Sequence, residues 1–179
     1  EGTYPPFNFE TDSGKLTGYD VEVAKELAKR IDYEIEFVPT KWSGMFGALE
    51  AKKFDVIVNQ VAITPDRKER YSFTEPYVYS GAQLIVKEGI DGVNSLKDLK
   101  GKAVGVGLGS NYEEIVKEFD QDDKITVKTY EVLLDTLNDL AIGRIDAALN
   151  DKLVAGINIK KAGLDLKLAG EPVKEVVNG

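Results

Sequence analysis

The chain has 179 residues, 42% hydrophobic and 30% charged, enough to bury the core of one large domain or two small ones. Acidic residues outnumber basic ones 31 to 23, giving a formal charge of -8, which argues against a nucleic-acid partner because phosphate binding rests on clustered cations. With no Cys and no His, thiolate and imidazole metal sites, Ser-His triads and disulfides are excluded.

Short β-rich runs alternate with runs of helical period, the pattern of an α/β protein with mostly parallel sheets. The periodicity predicts strands near residues 35–38, 55–60, 83–87, 103–107, 126–130, 145–149 and 166–169, and helices over 20–31, 43–52, 111–119, 132–142 and 152–162. No apolar run approaches the ~20 residues that span a bilayer. A chain that opens at Glu1 rather than Met is expected to follow a removed leader or tag.

In chain order, Tyr4-Pro5-Pro6-Phe7 comes first. Two prolines fix the backbone and present Tyr4 either as a platform for a ligand or as a core plug, while Phe7 and Phe9 read as core. The helix over 20–31 sets Val23, Leu27 and Ile31 on one face beside Ala24 and Ala28, with Asp20 as its expected N-cap. Trp42, the only Trp, lies just before a second expected N-cap, Ser43. The apolar run 55–60 ends in two amides, Asn59 and Gln60, where a buried strand would continue with apolar residues.

Thr64-Pro65 marks a helix start with Pro at its first position, and Arg67 follows within one turn. Its planar fork matches a carboxylate, although a surface Arg is the usual fate of such a charged run. Residues 87–94 carry two glycines and are a candidate exit from a first lobe; Ser95 and Asp98 form a capping box. Residues 105–110 (GVGLGS) follow an apolar strand and open a helix, so free N–H groups there suit a small anion. The glycine spacing is not the dinucleotide fingerprint and no P-loop Lys follows, so no cofactor is called for. Asp151 ends a strand and begins a helix, as an N-cap or as the counter-ion of a ligand ammonium. Residues 170–179 are a second candidate crossover. Paired carboxylates for acid–base work occur at no convincing spacing, so no enzyme is expected.

Segments 15–24 (KLTGYDVEVA), 62–67 (AITPDR), 71–77 (YSFTEPY), 96–106 (LKDLKGKAVGV) and 143–147 (GRIDA) resemble the polar amino acid (family 3) solute-binding receptors of ABC importers, along nearly the whole chain. EGTYPPF, PTKWSGM, NQVAIT and GVGLGSNYEE are similar to the cystine-binding members. The resemblance implies a two-lobe periplasmic-binding-protein-like (type II) fold, with residues 1–82 as lobe 1 without its C-terminal return, 83–172 as lobe 2, and 173–179 starting the second crossover.

It implies that Tyr4 and Trp42 flank the ligand, that Arg67 pairs with its α-carboxylate, and that Asp151 takes its α-ammonium. Ser110 and Asn111 complete that shell, Asn59, Gln60 and Ala62 line the pocket floor, and Glu1 occupies a position from which some members reach the distal group. The function so implied is an extracytoplasmic receptor, periplasmic or lipid-anchored on the outer face of the cytoplasmic membrane, that binds L-cystine and delivers it to an ABC permease. Glutamine, arginine or lysine as ligand, a cyclohexadienyl-dehydratase-like enzyme and a sensor domain are the alternatives. The family carries a strand before the position of Glu1 and further segments after that of Gly179. Lobe 1 of this chain is therefore expected to expose a sheet edge, which invites a strand-exchanged dimer.

Overall fold

The computed structural model describes all 179 residues. A small antiparallel sheet comes first, from β1 (Thr3–Tyr4), β2 (Asn8–Glu10) and β3 (Leu16–Thr17), followed by helices α1 (Tyr19–Arg30), α2 (Trp42–Glu50) and α3 (Pro65–Arg70). The second sheet takes β4 (Val78–Lys87), β5 (Ala103–Gly107), β6 (Thr126–Tyr130), β7 (Ala147–Asp151) and β8 (Leu166–Asn178), with α4 (Asn111–Phe119), α5 (Leu133–Ala141) and α6 (Lys152–Ala162) between its strands. Its strand order is β6-β5-β7-β4-β8.

The expected parallel pairing holds for β6, β5 and β7, whereas β4 runs antiparallel to both β7 and β8. Strands β4 and β7 are buried along most of both faces, with polar Ser80, Gln83, Asn150 and Asp151 buried among their apolar residues. Successive residues feed opposite cores: Leu84, Val86 and Leu149 pack on one side with Val104, Val106 and Val116, while Ile85 and Ala148 pack on the other with Leu137, Leu140 and Val154.

Residues 35–38 and 55–60, predicted as strands, form none, because neither segment makes a backbone–backbone hydrogen bond. An apolar groove runs between them, lined by Ile35, Phe37, Val38, Phe54, Ile57 and Val58. Helix α1 meets the expectation at Ala24 and Ala28 and departs from it at Leu27 and Ile31. It buries Val21, Ala24 and Ala28 and leaves Leu27 and Ile31 exposed. Its N-cap is Gly18, not Asp20, and α2 is capped at Lys41, not Ser43; both side chains point elsewhere. Thr64 with Pro65, the Ser95/Asp98 box and Asp151 do start their helices.

Residues 87–94 form no passage between units; they turn the chain at the outer end of β4, where Ile90 N–H donates to the Lys87 carbonyl. The passage is the β4–β8 ribbon itself, paired from Val78↔Asn178 to Lys87↔Leu166 with a register shift between Ala82 and Leu84. There the Gln83 amide donates to the carbonyls of Ala169 (2.6 Å) and Gly170 (3.0 Å), satisfying groups that the ladder releases. Gly170 has φ 64, and a Cβ added to it would lie 2.0 Å from the Asn94 carbonyl oxygen. Gly170→Ala is therefore expected to destabilise the fold by about 1–3 kcal/mol, read as a lowered urea midpoint; an unchanged midpoint would show that the bulge tolerates a side chain.

Candidate functional site

A cleft separates the N-terminal unit from the five-stranded unit. One wall carries Glu1, Tyr4, Trp42, Asn59 and Gln60; the other carries Leu108, Ser110, Asn111, Tyr112, Glu131 and Asn150. Strand ends and helix starts supply most of these residues, as expected where sheets meet a crevice at the carboxyl ends of their strands.

Local chemistry fixes each part. The Ser110 hydroxyl accepts from Glu113 N–H (3.3 Å) as the N-cap of α4 and donates to the Gly107 carbonyl (2.7 Å). The Glu113 carboxylate reaches back to Gly109 N–H at 2.7 Å, so part of the predicted anion cradle is consumed by its own helix start. Tyr4 crosses the cleft, its hydroxyl donating to Asn150 Oδ1 at 2.9 Å. Asn59 faces Glu1, donating to Oε2 at 3.3 Å. Gln60 sits at φ 50, a left-handed conformation rare outside glycine. Its amide is committed to the scaffold, donating to Asp20 Oδ1 (2.7 Å) and accepting from Asn178 (3.2 Å).

Arg67 is only 8% exposed. Its Nη1 donates to the Ala62 carbonyl at 3.1 Å, and the guanidinium stacks 5.4 Å from the Trp42 ring centroid and 5.3 Å from that of Phe46. None of the chain's ion pairs includes it. Burial lowers its pKa, opposed by the Glu114 carboxylate, yet a guanidinium stays charged. Arg67 and Ala62 stand behind the Trp42 wall and do not line the cavity itself.

Asp151, 3% exposed, is likewise behind the wall. Its Oδ1 caps α6 through Leu153 N–H (2.8 Å) and Val154 N–H (3.2 Å), while Oδ2 makes no bond. Burial pushes the phenols of Tyr4 and Tyr112 well above the usual range; the Asp151 charge adds to both, and Arg67 opposes it at Tyr112. A cation and an anion thus flank one pair of tyrosines.

Residues 1–162 match the bacterial extracellular solute-binding proteins, family 3. The chain belongs to this family. It is 47% identical over 180 residues to the L-cystine-binding protein TcyJ of Escherichia coli (strain K12), covering 100% of this chain and 67% of that protein. Among solved structures, an ancestral arginine-binding protein bound to arginine superposes with TM-score 0.90 at 38% identity, covering 99% of this chain and 81% of that one. The ancestral amino acid-binding protein AncCDT-1, a precursor of cyclohexadienyl dehydratase, follows at TM-score 0.86 and 34% identity, covering 99% and 78%. The chain thus spans about two thirds of the length of its curated relative TcyJ.

Within this family 3 chain, the sequence-predicted residues Glu1, Tyr4, Trp42, Asn59, Gln60, Ser110 and Asn111 meet in one cavity, whereas Ala62, Arg67 and Asp151 do not line it. Phe7 is core and Phe9 lies half-buried under the Lys161 ammonium. Tyr112, Glu131 and Asn150 also line the cavity and were not anticipated. For Asn150, a polar residue closing an apolar strand is the signal; the other two carry none.

Asp20, fully buried, accepts from Asn8 (2.9 Å), Gln60 (2.7 Å) and the Tyr77 hydroxyl (3.2 Å). Burial raises its pKa despite these donors. A raised folded-state pKa favours the protonated form in the fold, so that stability is full below the unfolded carboxyl value, about 3.9, and is lost as pH rises through the folded value. Urea unfolding from about pH 3.5 to 7 should show this decline in the wild type and its absence in Asp20→Asn; parallel curves would remove Asp20 as the source.

Proposed function

We propose that this family 3 chain captures a small amino acid, L-cystine foremost, between two hinged lobes and delivers it without chemical change to an ABC permease outside the cytoplasm. The lobes are residues 1–82 and 83–172, with 173–179 starting the second crossover, and the bulge beside Gln83 lies at their junction.

The observation that carries the reading is the buried Arg67 guanidinium, which has no carboxylate partner and spends only Nη1 on the protein. A buried cation is costly unless paired. An α-carboxylate entering beside Trp42 supplies that pairing, and the unused Oδ2 of Asp151 supplies the acceptor for the α-ammonium. Tyr4 and Trp42 offer aromatic surface to the stem, Ser110 and Asn111 the helix start of α4, and Asn59 an amide for selectivity. Glu1 faces the distal group.

The bond from Tyr4 to Asn150 (2.9 Å), that from Ser43 to Glu131 (3.0 Å) and that from the Asn158 amide to the Pro5 carbonyl (3.1 Å) all join the two lobes. They are contacts of a closed cleft, and a ligand that also bridges the walls shifts the balance toward closure. Likeness to an arginine-binding ancestor keeps a basic amino acid as the second reading.

Arg67→Ala is expected to weaken L-cystine binding roughly 10- to 150-fold, the loss of a charge-assisted bond in a desolvated cleft. Isothermal calorimetry is the measurement, because Arg67 stacks on Trp42 and its removal alters that fluorophore. Unchanged affinity in the folded variant would remove Arg67 from the site. Asn59→Ala should change the order of preference among cystine, glutamine, arginine and lysine; uniform weakening would make the amide structural.

A further inference from the structure

We infer that Glu131 is a specificity-determining residue of this cleft, reading a second cationic centre on the ligand, and that Ser43 on the opposite wall positions its carboxylate. The inference rests on the amino-acid-binding reading above and adds a requirement to it.

The first support is what Ser43 does not do. It stands in the first turn of α2, where a hydroxyl commonly serves the helix start, yet Lys41 takes the cap position and no side chain caps α2. The Ser43 hydroxyl instead donates to Glu131 Oε2 at 3.0 Å, across a sequence separation of 88 residues. That bond orients Glu131 just beyond the end of β6 and leaves Oε1 without a partner. Leu108 N–H donates to the Tyr130 carbonyl at 2.9 Å, so the backbone entering Glu131 is anchored to the glycine-rich turn that also lines the cavity.

Charge is the second support. The cavity wall contains two carboxylates, Glu1 on one lobe and Glu131 on the other, and no Lys or Arg; Glu1 brings its own α-ammonium, which donates to Asn59 Oδ1 at 2.9 Å, so Glu131 is the carboxylate without a cation on its own residue. Glu131 takes part in none of the ion pairs. Behind the wall, Arg67 and Asp151 form a balanced pair suited to the carboxylate and ammonium of one amino-acid head. A neutral stem would therefore leave Glu131 without a cationic partner, whereas a ligand with a second ammonium supplies one. L-Cystine carries such a group on its far half, beside a second carboxylate, and lysine and arginine carry a lone cation at the stem end. Discrimination against neutral side chains thus has a physical source in Glu131. Because Glu131 and Ser43 are both exposed at the cleft mouth, solvent screens the contact and its size is modest.

The test is calorimetric titration of the chain with L-cystine, mono-N-acetyl-L-cystine, which lacks the second ammonium, and L-glutamine. Wild type should prefer cystine over its acetylated form by about fivefold, the upper range for an exposed charged pair. Glu131→Gln should erase that preference by lowering cystine affinity more than the affinity for its acetylated form or for glutamine, and Ser43→Ala should reduce it by a smaller factor. A preference of the same size in wild type and Glu131→Gln would overturn the role of Glu131 alone, and so would equal weakening of all three ligands. Glutamine bound by the wild type in preference to cystine would overturn it as well. Absence of wild-type binding to every amino acid would instead overturn the function on which it rests. Glu131→Asp, which keeps the charge, should retain a preference for cystine, separating charge from side-chain shape.

Discussion

The Asp20 carboxylate, wholly removed from water, ties together segments that share no sheet. Asn8 brings β2, Gln60 brings the cavity wall, Tyr77 brings the entry to β4, and Asp20 itself brings α1. Each donor satisfies a lone pair that would otherwise be stranded in an apolar interior. Without this meeting point, Gln60 would have no reason to hold its left-handed backbone, and the wall that carries Asn59 would lose its register. The raised pKa of Asp20 shows that burial outweighs even three donors, so the network imposes order at an electrostatic cost.

A second constraint follows at the cavity. Arg67 is kept charged among Trp42 and Phe46, where π faces offset part of the desolvation but supply no anion. Across the cleft, Asp151 spends one oxygen on capping α6 and keeps the other. Capping therefore uses one atom of the carboxylate and leaves the other unbonded, so the cap and the proposed ammonium acceptor, rivals in the sequence, fit the same residue. Tyr4 and Tyr112 separate the two charges and, with pKa values far above neutrality, remain neutral hydrogen-bonding groups at physiological pH.

Sequence made the five-stranded unit legible: β5, β6, α4 and α6 fall at their predicted bounds because each is local, with a clear period and a side-chain or glycine signal at its ends. The N-terminal unit was less legible. Segments 35–38 and 55–60 have strand composition but find no ladder partner, and composition cannot supply a partner. Asp20 and Ser43 have the chemistry of caps and were expected to act locally; tertiary donors and acceptors claimed them instead. Glycine-rich composition likewise suggested a crossover at 87–94, whereas the actual passage is hidden inside two long strands. Of the residues expected at the site, Glu1, Tyr4, Trp42, Asn59, Gln60, Ser110 and Asn111 line one cavity and Ala62, Arg67 and Asp151 do not, while Tyr112 and Glu131 enter it through geometry that no local pattern encodes.

The Tyr4–Phe7 arm belongs by sequence to the N-terminal unit, yet Phe7 is embedded in the core formed by Leu133, Leu137 and Ile85, and Pro5 is held by Asn158. On its other side the arm is bonded to α1, with Tyr19 and Asp20 N–H groups donating to the Pro6 and Phe7 carbonyls, and Tyr4, Phe7, Tyr19 and Tyr77 form a row of aromatic contacts in which Phe7 meets Tyr19 edge-on. The two units are thus joined in two different ways, by this arm and by the β4–β8 ribbon. Backbone pairing holds the ribbon whatever the cleft does, whereas the arm's bonds to Asn150 and Asn158 are the ones that opening, under the proposed function, would have to break.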